Sequence, residues 1–260
     1  MIEVIFFKDS PKIISVRLKP AWPIELRSET SPVKMALAEV FNRIGGLLER
    51  FAKEAAIGVP PLLAVWHVES AGARFRRNRP ILRFEIHKLF EFWGKDNQTL
   101  FDRHFQFGGR AGVAGKPWEQ HRLRNGPAAD WTRFHGDQHT EYEAFHFASR
   151  LAGREPACRS ASFGGPQIIG FNHGVIGYAS AVALFEAFAR SERWQVCGFF
   201  DFCRAKGLLE AIKQQQWLAF ATTYNGAGNA ASYQARLIEA LGEAEIILAG
   251  HTTAAPSPAA

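Results

Sequence analysis

Residues 60–70 read PPLLAVWHVES, a mostly apolar run that ends in a glutamate and a serine. The two prolines fit the first turn of a helix, so the pattern predicts a short helix from Leu62 to Glu69. Its residues are apolar on most sides, which is typical of a helix buried in a core. Glutamate is rarely enclosed without a partner, so Glu69 at the end of such a helix is unusual. Apolar surroundings raise the pKa of a carboxyl group, as a general acid requires near neutral pH.

The same spacing also fits a structural role for Glu69. A glutamate can simply mark the end of a helix and pair with an arginine, and arginines are dense between Arg74 and Arg83. Position alone therefore leaves both interpretations open. The segments that follow along the chain decide between them.

Composition sets limits on the class of protein. A chain of 260 residues with 47% hydrophobic and 22% charged residues predicts a globular protein, most simply with one core, and excludes a disordered or fibrous one. The net charge of +6 predicts attraction to polyanions: nucleic acid, an anionic membrane or the bacterial cell wall. Because no nucleic-acid-binding motif accompanies the basic residues, we expect no nucleic-acid partner.

Cysteine usage and the N-terminus indicate where the chain is made. Cys158, Cys197 and Cys203 form no CxxC pair, and the last two lie six positions apart on one predicted helix, where they face different directions. We expect no disulfide and folding in a reducing compartment. The first 20 residues lack the features of a signal peptide, and no apolar run is long enough to span a membrane. These patterns predict synthesis in the cytoplasm.

The rest of the chain predicts a mainly α-helical protein with a short β or extended N-terminal arm. Residues 1–30 are expected to form this arm or hairpin, because apolar residues alternate loosely over 2–18. The main domain is expected over 31–248, beginning with a long helix after the cap Ser31-Pro32, and 249–260 is expected to be a disordered tail. Residues 72–138 have weak periodicity and are expected to be irregular, apart from a helix at 86–93. Further helices are predicted at 139–153, 180–190, 191–206, 208–223 and 232–248.

Several segments resemble those of a known superfamily. VESAG at 68–72, SFGGPQIIGFN at 162–172 and TYNGAG at 223–228 resemble, in the same order, three signatures shared by soluble lytic transglycosylases and goose-type lysozymes. With FEIH at 84–87 and GYAS at 177–180, the chain more closely resembles the N-acetylmuramidase endolysins of phages and bacteria. The resemblance covers roughly residues 35–245 and implies a lysozyme-like helical domain.

The resemblance implies a reaction and a set of site residues. The expected reaction is hydrolysis of the β-1,4 bond between N-acetylmuramic acid and N-acetylglucosamine, with Glu69 as the general acid and no cofactor. Gln167 would bind substrate or hold the glutamate, and the hydroxyl of Tyr224 would position it. The residues expected to bind substrate are Ser70, His87, Gln167, Ile168, Asn172, Tyr224 and Asn225.

A second carboxylate is needed if water is the attacking group. An inverting enzyme places a base about 6.5–9.5 Å from the acid, and a retaining one places a nucleophile about 5–5.5 Å away. Glu85 is our first candidate, with a structural partnership to arginines or to His87 as the alternative. The remaining candidates are Glu141, Glu143, Asp130 and Asp137. A lytic transglycosylase needs no second acid.

Metal and phosphate sites are not expected. His135 and His139 lie four apart in HGDQH, but Gly136 weakens a helix there and the sequence places no third ligand. His67 and His87 are expected to be core or supporting residues. GGRAGVAG at 108–115 lacks the Lys-Ser/Thr ending of a phosphate-binding loop and is expected to be a flexible lip.

Some features depart from the family pattern or leave the setting open. Gly164-Gly165-Pro166 stands where the family has a bulkier residue and an aromatic one, and residues 94–135 match the family poorly. No wall-binding domain is visible in the sequence, and the basic surface would substitute for one.

The alternative functions are those of a lytic transglycosylase, or of a catalytically silent wall-binding or structural protein of a phage or secretion machine. The expected partner of a monomeric chain is peptidoglycan, with an immunity protein or secretion apparatus as a further possibility. It would act in the periplasm or on the wall after release through a holin or delivery by secretion.

Overall fold

The computed structural model describes residues 6–25, 31–70, 75–76 and 78–254, with side chains given as far as His251. The chain forms two compact units. The terminal unit comprises Met1–Gly72 and Glu192–Ala260, and the middle unit comprises Ala73–Ser191. The domain expected over residues 31–248 therefore spans parts of both units.

The described part of the terminal unit is helical. The buried helix α3 (Val59–Ser70) lies at its centre, because α2 (Pro32–Ala55) and α12 (Ala230–Ala254) both pack against it and its residues from Pro61 to Trp66 are buried. The helices are α1 (Pro11–Ile14), α2 (Pro32–Ala55), α3 (Val59–Ser70), α9 (Glu192–Ala205), α10 (Leu208–Lys213), α11 (Trp217–Asn225) and α12 (Ala230–Ala254). This arrangement confirms the mainly α prediction and the burial of the stretch at 60–70.

Helix α2 begins where the sequence predicts, after the cap Ser31-Pro32. The Ser31 side chain accepts a hydrogen bond from the Lys34 N–H at 3.3 Å, and Pro32 occupies the first turn. The helix ends at Ala56, which adopts a left-handed backbone conformation with φ 51°. Its buried face includes Phe41, Leu48 and Phe51.

The hairpin expected in the N-terminal arm is wrong for the described residues. Phe7–Asp9 forms a 3₁₀ helix and Pro11–Ile14 forms α1, so these residues do not pair as strands. Asp201 on α9 accepts hydrogen bonds from the N–H groups of Phe7 (2.6 Å) and Lys8 (3.2 Å). The Phe7 ring packs edge-on against Phe51. Asp201 on α9 thus accepts the hydrogen bonds of two backbone N–H groups that strand pairing would have satisfied, and α2 contributes apolar packing.

The C-terminal helices differ from the prediction in two places. The helix expected over 208–223 is divided into α10 and α11, because Gln215 between them adopts a left-handed conformation with φ 55°. Helix α12 extends to Ala254, beyond the expected end at 248, so only 255–260 of the predicted tail lies outside the described residues.

The middle unit combines short helices with short antiparallel strands. Its helices are α4 (Ile86–Phe92), α5 (Gln98–His104), α6 (Gln138–Ala152), α7 (Arg154–Arg159) and α8 (Ala181–Arg190). Its strands are β1 (Phe75–Arg76), β2 (Arg79–Pro80), β3 (Leu82–Phe84), β4 (Phe105–Gln106), β5 (Arg122–Leu123), β6 (Thr132–Arg133), β7 (Ala161–Phe163) and β8 (Ile168–Ile169). They pair as β1-β2, β3-β7-β8 and β4-β5-β6, so the stretch expected to be irregular contains regular structure.

The core of the middle unit is aromatic, as the 22 phenylalanines of the sequence suggest. The ring of Phe145 on α6 packs against Phe84, Phe163 and Phe185. Leu82 pairs with Phe163, and Phe84 with Ala161, so β3 and β7 direct these rings into one core. Such aromatic pairs contribute beyond the area that they bury.

All three cysteines are free thiols, in line with the expectation of no disulfide, and the structure also places all three in the interior. Burial raises the pKa of the Cys158 thiol to about 12 and raises those of Cys197 and Cys203 as well. Each helix within the described ranges is too short or too polar to cross a lipid bilayer.

Candidate active site

Glu69 lies in the last turn of α3 and is partly buried, between the buried residues Val68 and Ser70. Burial raises the pKa of its carboxyl group to about 7, although a hydrogen bond from Asn225 and the positive charge of Arg236 both oppose this rise. Because desolvation disfavours the charged form, the group holds its proton near neutral pH. A protonated carboxyl group at this position can act as a proton donor.

Asn225 contacts Glu69 directly. Its side-chain N–H donates to Oε1 of Glu69 at 3.3 Å, across 156 positions of sequence. Asn225 is the last residue of α11, and Gly226 after it has φ 84°, so the helix ends where its amide can reach the carboxyl group. The amide fixes one oxygen of Glu69 without adding a charge.

Tyr224 stands next to Asn225 in an aromatic environment. Its ring stacks on Phe220, with centroids 5.6 Å apart, and meets Phe199 and Phe202 edge-on. Burial raises the pKa of its hydroxyl group, and the negative charge of Glu69 raises it further. Tyr224 therefore keeps its proton and can donate a hydrogen bond in this region.

The surroundings of Glu69 include groups that sequence reasoning missed or left undefined. Arg236 on α12 donates to the Val68 carbonyl at 3.2 Å, which closes the end of α3. Arg236 and Val68 are 168 positions apart, so no local sequence pattern could predict this hydrogen bond. The Ser70 Oγ is buried and has no hydrogen-bond partner among the described residues, and burial lowers the pKa of His67. Both follow from the density of the core around α3.

Three other predicted site residues belong to the middle unit. Gln167 adopts a left-handed conformation with φ 49°, and its amide donates to the Gly164 carbonyl at 2.7 Å. Its N–H group thus holds the turn that contains Gly164-Gly165-Pro166. Ile168 is buried in β8, whereas Asn172 is partly exposed in the following 3₁₀ helix, Gly170–Ile176.

Glu85 and His87 lie at the start of α4 in the same unit. Oε1 of Glu85 accepts a hydrogen bond from Arg83 at 2.7 Å, and Oε2 lies 3.5 Å from Nδ1 of His87. The partnership with an arginine and with His87 was the alternative to catalysis for Glu85. His121 and His135, which the sequence did not connect with Glu85, also lie in this cluster.

Of the remaining carboxylate candidates, two make hydrogen bonds within the fold and two are exposed to solvent. Glu141 is buried and accepts hydrogen bonds from the Phe84 N–H and from His135. Asp137 caps α6 by accepting from the His139 N–H at 2.7 Å. Glu143 and Asp130 are exposed. These hydrogen bonds give Glu141 and Asp137 structural roles.

The chain is similar to proteins of a known class. The model of the N-acetylmuramidase family matches residues 58–245, a span that contains every predicted site residue. Among solved structures, the chain resembles the endolysin of the Burkholderia phage AP3, with 27% sequence identity and a TM-score of 0.59 over 76% of this chain and 70% of that chain. None of the curated proteins compared matches it.

Proposed function

Because the chain belongs to the N-acetylmuramidase family, we propose that it cleaves the β-1,4 bond between N-acetylmuramic acid and N-acetylglucosamine, with Glu69 as the general acid. Membership of this family makes it a lysozyme-like glycoside hydrolase that degrades peptidoglycan. The choice of bond and the role of each residue are the proposed parts.

One observation carries the proposal: the Glu69 carboxyl group is largely enclosed at the end of the apolar helix α3, with the Asn225 amide on its Oε1, and this burial raises its pKa to about 7. Glycosidic cleavage passes through an oxocarbenium-like transition state, and the leaving oxygen must receive a proton as the bond breaks. A carboxyl group with a pKa near the working pH is protonated often enough to give that proton and acidic enough to release it.

The neighbours of Glu69 would act by positioning it. The Asn225 amide donates to Oε1, so the second oxygen is the one that would carry the proton towards the substrate. Tyr224 would supply a hydroxyl group that stays protonated in the same environment. We assign Glu85 no part in breaking the bond, because one of its oxygens is paired with Arg83 and the other faces histidines.

The test is the substitution Glu69→Gln, with Glu49→Gln as its matched control. Glu49 is a partly buried glutamate of the same unit whose pKa burial also raises. General acid catalysis contributes typically 10²–10⁴-fold, so Glu69→Gln should slow the clearing of purified sacculi by at least about 100-fold. Glu49→Gln should clear them at the wild-type rate. Equal clearing by wild type and Glu69→Gln contradicts the proposal.

Mass spectrometry of the released fragments identifies the bond and the attacking group. Fragments ending in reducing N-acetylmuramic acid support hydrolysis of the proposed bond. Anhydro-muramic acid instead identifies a lytic transglycosylase, in which the sugar's own 6-hydroxyl attacks. Reducing N-acetylglucosamine ends contradict the proposed bond.

We further propose that the chain serves phage lysis, because the similar AP3 protein is a phage endolysin. It would then reach the wall through a holin. A neighbouring holin gene supports this setting, whereas a neighbouring immunity gene contradicts it and indicates a secreted effector.

A further inference from the structure

Three side chains converge within the middle unit, whereas Glu69 belongs to the terminal unit. Glu85 precedes α4, His121 precedes β5 and His135 follows β6. Each offers one ligand atom, and these atoms all lie within 4.8 Å of one another. Oε2 of Glu85 is 3.5 Å from Nδ1 of His121, which in turn is 2.8 Å from Nε2 of His135.

The neighbours of His121 fix which of its nitrogens carries the proton. Nε2 of His121 lies 2.9 Å from the Pro117 carbonyl oxygen, and a carbonyl oxygen can only accept a hydrogen bond. Nε2 therefore carries the hydrogen. In the neutral ring this leaves a lone pair on Nδ1, directed at Glu85 and His135.

The neighbours of His135 fix its proton in the same way. Nδ1 of His135 lies 2.7 Å from Oε1 of Glu141, and the other oxygen of Glu141 accepts from the Phe84 N–H at 2.9 Å. The buried carboxylate thus receives the hydrogen on Nδ1, and Nε2 keeps its lone pair. The two lone pairs face each other across 2.8 Å, with no proton of their own between them.

The carboxylate oxygen adds a third electron-pair donor. Oε2 of Glu85 is buried and has no hydrogen-bond partner among the described residues, although Oε1 is satisfied by Arg83. A buried carboxylate oxygen without a partner is costly. A metal cation that accepts all three electron pairs would hold these donors together.

We propose that Glu85 Oε2, His121 Nδ1 and His135 Nε2 bind a divalent transition metal ion, for which Zn²⁺ is the best fit. Zinc binds imidazole nitrogen and carboxylate oxygen at about 2.0–2.2 Å, which sets tetrahedral ligand atoms roughly 3.4 Å apart. The 3.5 Å between Oε2 of Glu85 and Nδ1 of His121 matches that value. The two ring nitrogens, 2.8 Å apart, would move apart by roughly 0.6 Å when the ion binds. Three protein ligands leave the fourth position to water.

The surrounding contacts are those of a metal site. Metal-binding histidines usually donate their other ring N–H to a carboxylate or a carbonyl, as His135 does to Glu141 and His121 to Pro117. The mixed nitrogen and oxygen donors favour zinc over magnesium or calcium, which prefer oxygen alone. The ion would tie α4 to the sheet β4-β5-β6, whose strands are only two residues long.

Equilibrium dialysis of the untagged chain tests the site. After treatment with EDTA, the wild type should bind one Zn²⁺ per chain, measured by elemental analysis, and its Tm should rise. Glu85→Gln and His135→Ala should each weaken Zn²⁺ binding by at least about tenfold. The matched control is His139→Ala, because His139 lies four positions from His135 on exposed surface and should leave Zn²⁺ binding unchanged.

Cobalt(II) provides a readout that does not depend on the variants folding. The EDTA-treated wild type should give the strong visible absorption of four-coordinate Co²⁺, and added Zn²⁺ should abolish it. Failure of the wild type to bind either ion overturns the proposal, and a proton shared between the two rings then accounts for the cluster. Equal Zn²⁺ binding by wild type and His135→Ala in folded protein also overturns it. None of these outcomes bears on Glu69.

Discussion

The proposed role of Glu69 as general acid would combine a catalytic requirement with a cost to the fold. A general acid must be protonated near neutral pH, and burial of the Glu69 carboxyl group at the end of an apolar helix favours its neutral form. No nearby carboxylate is among the causes of the raised pKa. Desolvation therefore both prepares the acid and penalises its ionised form.

This cost predicts how stability depends on pH. The pKa of Glu69 is about 7 in the folded state and 4.5 ordinarily, so the folded state binds the proton more tightly. Its contribution to stability is fully present below pH 4.5 and is lost as the pH rises through 7. Because glutamine never ionises, Glu69→Gln should be more stable than the wild type at about pH 8, by up to about 3 kcal/mol, and the gap should narrow towards about pH 5.

Denaturant unfolding at the two pH values measures this difference. Glu245→Gln is the control, because Glu245 is exposed on α12 and the substitution should change stability little at either pH. If Glu69→Gln is no more stable than the wild type at the higher pH, the proposed desolvation of Glu69 is refuted.

The N-terminal arm lies directly against the backbone of helix α2 at Gly46. A Cβ built on Gly46 would overlap the carbonyl oxygens of Arg17 and Lys19, so the arm crosses the helix where it has no side chain. The Leu47 N–H also lies 3.3 Å from the Leu18 carbonyl oxygen. A glycine that weakens the helix by itself thus allows the arm to pack on it.

We therefore expect Gly46→Ala to destabilise the chain, although alanine in a helix is ordinarily favoured over glycine by about 1 kcal/mol. The backbone of the arm must shift, which should cost at least about 1–3 kcal/mol. The control is Gly242→Ala on α12, where a Cβ meets nothing within 4 Å and stability should rise. Thermal unfolding of both variants decides, and a stabilised Gly46→Ala would contradict the close approach.

The sequence predicts those elements whose signals are local. The cap at Ser31-Pro32 and the apolar run after Pro60-Pro61 identify α2 and α3, because each signal comes from residues that are adjacent in the sequence. The break at Gln215 and the two-residue strands of the middle unit leave no comparable signal. A strand of two residues is too short to show alternation, so tertiary pairing decides it.

The same distinction applies to the candidate site. Glu69 could be identified because it is a glutamate at the end of an apolar helix. Asn225 could be identified because it lies in the TYNGAG motif, which resembles that of a known family. The hydrogen bond from Arg236 to the Val68 carbonyl, and the approach of Glu85, His121 and His135, join residues far apart in sequence. Periodicity carries no information about such contacts.

At the scale of the whole molecule, the net charge of +6 predicts how the chain meets its substrate. Peptidoglycan carries peptide carboxylates, so electrostatic attraction should concentrate the chain on the wall. Salt screens such attraction, because the Debye length falls from about 10 Å at 0.1 M to about 3 Å at 1 M. Binding of the Glu69→Gln chain to purified sacculi should therefore fall roughly tenfold or more over this range.

A pelleting experiment measures this binding without cleavage. Sacculi whose carboxylates have been amidated are the matched control and should bind weakly at every salt concentration. Binding that does not change with salt would show that contacts other than charge hold the chain on the wall.

The three buried cysteines allow unfolding of the chain to be followed by chemical labelling of their thiols. A thiol with a raised pKa and no access to water reacts with an alkylating reagent only when the surrounding structure opens. Cys158 belongs to the middle unit, and Cys197 and Cys203 belong to the terminal unit. The rates at which the two groups are labelled therefore distinguish cooperative unfolding of the whole chain from independent melting of one unit, without any engineered probe.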